Sequence, residues 1–280
     1  MKHPLKAYLI SVFLSFGLFP HNVRAACEGK APPAPPEKPP LKIYEGFPFK
    51  KGEIHTMEVT YFGANAGYVE LRVLPPAFLG GRWMMGFSAL VETGSWYEKI
   101  FKARDEGIAY ANASSFMPYQ FRMTQDNEQL IGKGYKEDKM IRFNFETCEV
   151  KEDYRTNQGN VTKTIKASLD TDSLDFVSAV YKLRTFDFTK KKEVRMKVYT
   201  SEKNWWLTAT KEAVEQIEVP YGKFDAVKLN MQTFIGKELQ QKGKAKIWLG
   251  LKEPKQVLRV EAEIKIGSFI GVLKNFYPGK

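Results

Sequence analysis

Histidine and cysteine are scarce in this chain, at three and two among 280 residues, and that scarcity removes whole classes of chemistry. Residues 1–25 read as an export signal, so His3 and His21 leave with it and His55 is the one histidine that stays. Any Ser-His-Asp or Cys-His centre has to be built on it. His55 lies in an alternating segment beside Met57 and Val59, where a solvent-facing strand histidine is the expectation. Zinc requires several His or Cys ligands, which one histidine and two distant cysteines do not supply. A phosphate-cradling glycine loop with Lys-Ser/Thr and a dinucleotide fingerprint are also missing; Gly132-Lys133-Gly134 lacks the flanking pattern and reads as a turn. No metal or cofactor is expected. The apolar run Ala7–Phe19 is thirteen residues long, and at ~1.5 Å per residue it falls short of a bilayer core of roughly 30 Å.

That run follows Lys2 and Lys6 and precedes Val23-Arg24-Ala25, the order of basic, apolar and small residues in a cleaved secretory signal. In an oxidising compartment Cys27 and Cys148 can form a disulfide. Alternatively, Ala25-Ala26-Cys27 has the small-small-Cys pattern of a bacterial lipoprotein site, with Arg24 where that pattern wants an aliphatic residue. Residues 26–42 form a proline-rich spacer, with six prolines between Ala31 and Pro40, an extended stem of roughly 30 Å at ~3.1 Å per residue. Residues 43–280 then read as a single β-rich domain. The net charge of +11 is uneven: residues 223–280 hold twelve Lys and Arg against five Asp and Glu, whereas 26–222 are close to balance. The basic end favours an anionic partner, and an exported protein meets anionic lipid, lipopolysaccharide or lipoprotein rather than nucleic acid.

Alternation dominates the rest. Val69, Leu71 and Val73 alternate with Glu70 and Arg72, Val194, Met196 and Val198 with Arg195 and Lys197, and Leu258 to Ile266 with charged residues. Each is a half-buried strand. Less regular segments fall at about 53–62, 82–93, 107–113, 117–125, 128–147, 203–219, 223–234 and 244–250, with turns expected at Asn65-Ala66-Gly67, Gly80-Gly81, Asp126-Asn127 and Pro220-Tyr221-Gly222. The fold class is therefore mainly β: a large antiparallel sheet, an incompletely closed barrel or a sandwich, with one or two short packed helices. Helical spacing of Phe176, Val177, Val180 and Leu183 predicts a helix of about three turns over 174–184, capped by Asp172 or Ser173. A second short helix is expected around Trp96–Arg104. A transmembrane barrel would also alternate, but Phe276-Tyr277-Pro278-Gly279-Lys280 does not read as a terminal aromatic strand.

Across nearly the whole mature chain these residues resemble a bacterial envelope family catalogued as domain of unknown function 3108. The resemblance runs through Gly52-Glu53, Tyr61, Ala66-Gly67 and Met117-Pro118-Tyr119. It continues through the helix residues Asp175, Ser178, Tyr181, Leu183 and Arg184, then Glu218-Val219-Pro220 with Gly222, Trp248-Leu249, and Gly267-Ser268 with Leu273. Where the family usually has a serine and an aspartate after Trp248-Leu249, this chain has Gly250, Leu251 and Lys252, so no role for that aspartate carries over. The resemblance implies an exported β-rich domain and no established activity.

The candidate ligand-binding residues are Tyr181 and Arg184, one helical turn apart, and Trp248 amid Lys244 and Lys246. Each has a structural reading as well: Arg184 pairing an acid, Tyr181 filling the core, tryptophan simply packing. Cys27 and Cys148 are the residues for a disulfide or for lipidation. Asp170, Asp172 and Asp175 are the carboxylates an enzyme on a wall polymer would use, although their place before a helix suits capping. The expected function is a non-catalytic periplasmic or outer-membrane-tethered binding or scaffold protein, taking lipid or lipoprotein in an apolar cavity with a basic rim. The alternative is the carboxylate enzyme.

Overall fold

The computed structural model describes residues 42–95, 101–129, 134–156, 159–200, 202–235, 238–239, 245–263 and 267–280. Strands β1 (Glu53–Tyr61) through β8 (Gly159–Ser168) run consecutively: β2 (Ala64–Leu79), β3 (Arg82–Thr93), β4 (Phe101–Ala111), β5 (Pro118–Gln129), β6 (Tyr135–Asn144) and β7 (Glu149–Thr156). Helix α1 (Phe176–Leu183) follows, then β9 (Glu193–Thr200), β10 (Lys203–Val219), β11 (Gly222–Ile235), β12 (Glu238–Leu239), β13 (Ala245–Gly250), β14 (Val257–Glu263) and β15 (Ser268–Pro278).

All belong to one 15-stranded sheet, ordered β8-β7-β6-β5-β4-β3-β2-β1-β15-β14-β13-β11-β10-β9, with β12 paired to the end of β11. Two antiparallel meanders thus meet where β1 pairs β15, in register from Glu53↔Pro278 to Tyr61↔Phe269. The outer edges, β8 and β9, do not pair, so the sheet is rolled but not closed. The connector between them covers part of the seam: Leu174 bridges Val198 in parallel, and the Leu169 amide donates to the Cys148 carbonyl.

Alternation fixes which side faces in. Glu53, His55, Met57 and Val59 are buried while their neighbours are half-buried, and one core cluster unites residues from β1 to β7, β9 to β11, β13, β14 and α1. A two-turn helix is too short to hold itself. Its buried Val177, Ala179, Tyr181 and Leu183 hold it inside the roll. Gly107 makes room for it, since a Cβ there would lie 3.0 Å from the Phe121 ring and 3.5 Å from Val177. Residues before β1 close the same end. Ile43 and Phe49 are buried, and the Tyr44 hydroxyl donates to the Leu74 carbonyl at 2.7 Å and accepts from the Gly86 amide at 2.8 Å.

A second, smaller core of Val219, Ala226, Trp248, Leu258 and Leu273 forms on the reverse face. It exists because the long β10–β11 hairpin curls back over the sheet, until the Tyr221 amide reaches the Leu273 carbonyl.

Several sequence expectations need correction. The helix spans eight residues rather than three turns, and its N-cap is Asp175, not Asp172 or Ser173. Phe101–Arg104 are strand rather than helix, and residues 96–100 lie outside the described residues. The β1–β2 turn is Phe62-Gly63, with positive φ at both, while Asn65–Gly67 and Asp126-Asn127 are inside strands. Residues 276–278 belong to β15, so the sequence argument against a terminal aromatic strand does not hold. His55 is wholly buried rather than solvent-facing.

Candidate functional site

The closed end of the roll is built around Arg184. Placed just past α1 and 1% exposed, its guanidinium grips Glu53 of β1 through Nη1 to Oε1 at 2.6 Å and Nη2 to Oε2 at 3.1 Å. It also donates to the Lys255 carbonyl at 3.0 Å and the Pro254 carbonyl at 2.8 Å. Four of its five N–H donors are thus taken within the fold. Burial still pushes the Glu53 carboxyl up from the usual carboxylate range, against the pull of Arg184. Tyr181 stacks on Phe87 at 4.2 Å between centroids and meets Phe49 edge-on. His55 sits 3.6 Å from Glu53 and against Phe276 at 4.8 Å, with neither ring nitrogen hydrogen-bonded. Burial, then the nearby Arg184 charge, hold its pKa well below the ordinary histidine value.

A second buried ionic group lies along the seam. Lys139 of β6 pairs with Glu152 of β7 at 2.8 Å, and Glu152 accepts from the Tyr199 hydroxyl of β9 at 2.8 Å and from the Tyr154 hydroxyl. The Tyr199 ring packs edge-on to Phe143 of β6. Side chains therefore link the β9 edge to β7, one strand in from the β8 edge, across a seam that no β8–β9 ladder closes.

Between these two groups the concave face is divided in character. On β2, β3, β10, β11 and β14 the inward phase carries Val69, Leu71, Ala89, Leu207, Met231 and Val260. All pack on the core yet keep part of their surface accessible, so this wall is apolar and only partly covered. The inward phase of β4 and β5 carries instead Asp105, Gln125 and Asn127. Asp105 shares its face with Ala103, Gly107 and Ala109 and pairs across to Val91 and Gln125. The Gln125 amide donates to Asp105 Oδ2 at 3.2 Å, while Asp105 Oδ1 and Asn127 Oδ1 are buried with no partner. Desolvation pushes the Asp105 carboxyl up to about 6. The concave face thus carries a partly covered apolar stretch and, on the neighbouring β4 and β5, a group of buried acceptors.

Trp248 is not exposed. It is buried in the reverse-face core, its Nε1 donates to Glu215 at 2.6 Å, and Arg259 and Lys228 lie over its ring at 5.2 and 5.5 Å. Lys246 and Lys228 share Glu212 at 3.2 and 3.1 Å, Lys274 holds Glu58, Arg259 holds Glu261 and Lys223 holds Glu218. The basic end is thus largely paired within the described residues, and Lys244 lies outside them, as do Lys237, Lys242 and Lys265. Cys148 is disulfide-bonded, whereas Cys27 lies outside the described residues. Asp175 caps α1, accepting from the Ser178 amide at 2.9 Å and its hydroxyl; Asp170 and Asp172 do not join it. The structure brings Arg184 and Tyr181 together, apart from Trp248. Sequence reasoning named Glu53 only within the family resemblance, without a role, and missed Asp105, Lys139 and Glu152. Their signal was phase, since each charged residue falls on the inward beat of its strand.

No curated protein matches this chain by sequence. Among solved structures, the β-barrel-like protein of domain of unknown function DUF1849 from Brucella abortus superposes with a TM-score of 0.55 at 8% identity, covering 82% of this chain and 98% of that one. That likeness shows the fold. A protein from Bacteroides fragilis assigned as exported, with a YmcC-like fold, gives a TM-score of 0.30 at 11% identity over 82% of this chain and 98% of its own. One from Parabacteroides distasonis assigned as a lipoprotein gives 0.32 at 14% over 82% and 97%. The model of the family described as protein of unknown function, DUF3108, matches residues 56–274, and the chain belongs to that family.

Proposed function

We propose that this chain is a non-catalytic binding protein of the bacterial envelope that holds an amphiphile, a lipid or the acyl part of a lipoprotein, against the concave face of its rolled sheet. The observation that carries this reading is the partly accessible apolar wall of Val69, Leu71, Ala89, Leu207, Met231 and Val260, beside buried acceptors at Asp105 and Asn127. The export signal read in residues 1–25 supports an envelope location, where such ligands are found. The disulfide at Cys148, with Cys27 as the only other cysteine, supports a 27–148 pairing, and a cysteine sulfur in a disulfide is not available for lipidation. A soluble periplasmic protein is therefore favoured over a tethered one.

Intact mass of protein purified from its native envelope, measured under conditions that keep lipids bound and again after denaturation, tests this. Mass lost only on denaturation supports a carried amphiphile. A bare chain in both spectra that also takes up no added amphiphile refutes it. A covalent increment at Cys27 overturns the soluble form.

A further inference from the structure

Asp105 and Asn127 sit on the inner faces of β4 and β5, and each has an acceptor oxygen that is buried and unpartnered. Asp105 is 1% exposed and Asn127 4%, so water does not satisfy those oxygens from outside. A buried acceptor left unmade is costly, and more so when it carries charge. No ion pair among the described residues includes Asp105, and the adjacent cations on β4 and β6 are taken: Arg104 holds Glu92 and Lys136 holds Asp126. Deeper on the same face, Lys139 is held by Glu152. One further group lies at the mouth of this corner. Tyr135 pairs across from Asn127, keeps 38% of its surface exposed, and donates its hydroxyl to Glu137. The corner therefore offers two acceptor oxygens without a close partner, a second carboxylate and an accessible aromatic face; the donors that reach Asp105, from the Gln125 and Asn127 side chains and the Asp126 backbone, are all neutral.

We propose that Asp105 and Asn127, with Tyr135 at the mouth, form a headgroup subsite for a primary ammonium at the polar end of the bound amphiphile. This rests on the reading of the concave face given above and names the class of headgroup it takes. An ammonium brings positive charge and three N–H donors to acceptors that have no cationic partner among the described residues, and its charge is attracted to the tyrosine face. A carboxylate or phosphate alone is repelled by Asp105 and Glu137. An alcohol supplies one donor and no charge. A quaternary ammonium supplies charge and no donor.

Binding of four probes that share a twelve-carbon chain, dodecylammonium, dodecyltrimethylammonium, dodecanol and dodecanoate, is measured by calorimetry on the full mature chain below their micelle-forming concentrations. Dodecylammonium is expected to bind about tenfold or more tighter than the other three, the scale of one charge-assisted hydrogen bond. In Asp105→Asn that preference shrinks to within about threefold while dodecanol affinity is unchanged. Equal binding of ammonium and alcohol by the native protein, which needs no variant, overturns the subsite while leaving the amphiphile reading intact, as does a preference that survives Asp105→Asn. Failure of all four probes to bind overturns both. Lysophosphatidylethanolamine and an acylated peptide with a free amino terminus, each compared with its N-acetylated form, then distinguish the two sources of such an ammonium; loss of affinity on acetylation of either supports the subsite, and indifference in both overturns it.

Discussion

Arg184 is a cation whose partners are all internal, and that arrangement fixes what its loss does. Arg184→Met strands the Glu53 carboxylate in a buried site, and the expected loss of stability is about 3–5 kcal/mol at pH 7 by chemical denaturation. Adding Glu53→Leu to that variant is expected to recover much of the loss, because the uncompensated charge is then gone. His55 gives a second, pH-resolved outcome. Its folded pKa is depressed by burial and by Arg184, so below the ordinary histidine value of about 6.5 the unfolded chain binds a proton that the native protein does not. Stability from this residue is intact above about pH 6.5 and falls as pH drops, by about 1 kcal/mol over the first unit and toward about 1.4 kcal/mol per unit below that. Asp105, raised to about 6, acts in the opposite direction: the folded state gains a proton before the unfolded chain does, and the native protein gains stability as pH falls through 6. The difference between wild type and His55→Phe, taken in urea melts from pH 8 to 5, isolates the histidine contribution and should shrink as the pH falls. A difference that is flat with pH would show that the ring is not held neutral. Arg184 and Tyr181 were legible in the sequence as a pair on one helix face, but their partners were not. Glu53 is far from Arg184 in sequence, and only the roll of the sheet brings them together.

At the scale of elements, the strands that alternate cleanly were the legible ones. β1, β3, β10 and β11 match their expected spans within a residue or two. β7 and β15 were hidden for opposite reasons. In β7, EVKEDYRT, the inward beat itself carries Glu152, so the hydrophobic period disappears. In β15, a bulge at Lys274, opposite Thr56 and Met57 of its partner, shifts the register and breaks the alternation that a sequence reader follows. The Phe62-Gly63 turn was missed because a phenylalanine at positive φ is not a residue that turn chemistry anticipates. The helix was placed correctly but overextended, since its apolar spacing continues into residues that serve as cap and connector. Its packing supplies a further prediction. Gly107→Leu pushes a side chain into the space held by Phe121 and Val177. The expected cost is about 1–3 kcal/mol with an unchanged denaturant slope. A substitution tolerated without loss would mean that α1 is not held by that close approach.

For the whole molecule, the mainly β antiparallel class follows from pattern and composition, whereas closure and the seam do not, because alternation says which residues share a face and no local signal says which two strands remain unpaired. The Lys139, Glu152 and Tyr199 group spans that seam, so its removal acts on closure rather than on one strand. Lys139→Met leaves Glu152 buried without its cation, and the expected loss is about 3–5 kcal/mol. In hydrogen exchange, the amides of β9 and of the Leu169–Leu174 connector should lose protection before those of β1 and β15. Uniform loss across the sheet would show that the seam opens only with global unfolding.

The pairing of β1 with β15 has a consequence for how the chain is made. β1 emerges before every other strand and β15 after them, yet they are hydrogen-bonded neighbours from Glu53↔Pro278 to Tyr61↔Phe269. Until β15 arrives, the first meander ends in an open edge at β1 and the second at β14. Contacts of such long sequence separation form late and slowly. The two half-sheets therefore wait for each other, and a chain threading through a narrow channel stays extensible until almost all of it has passed.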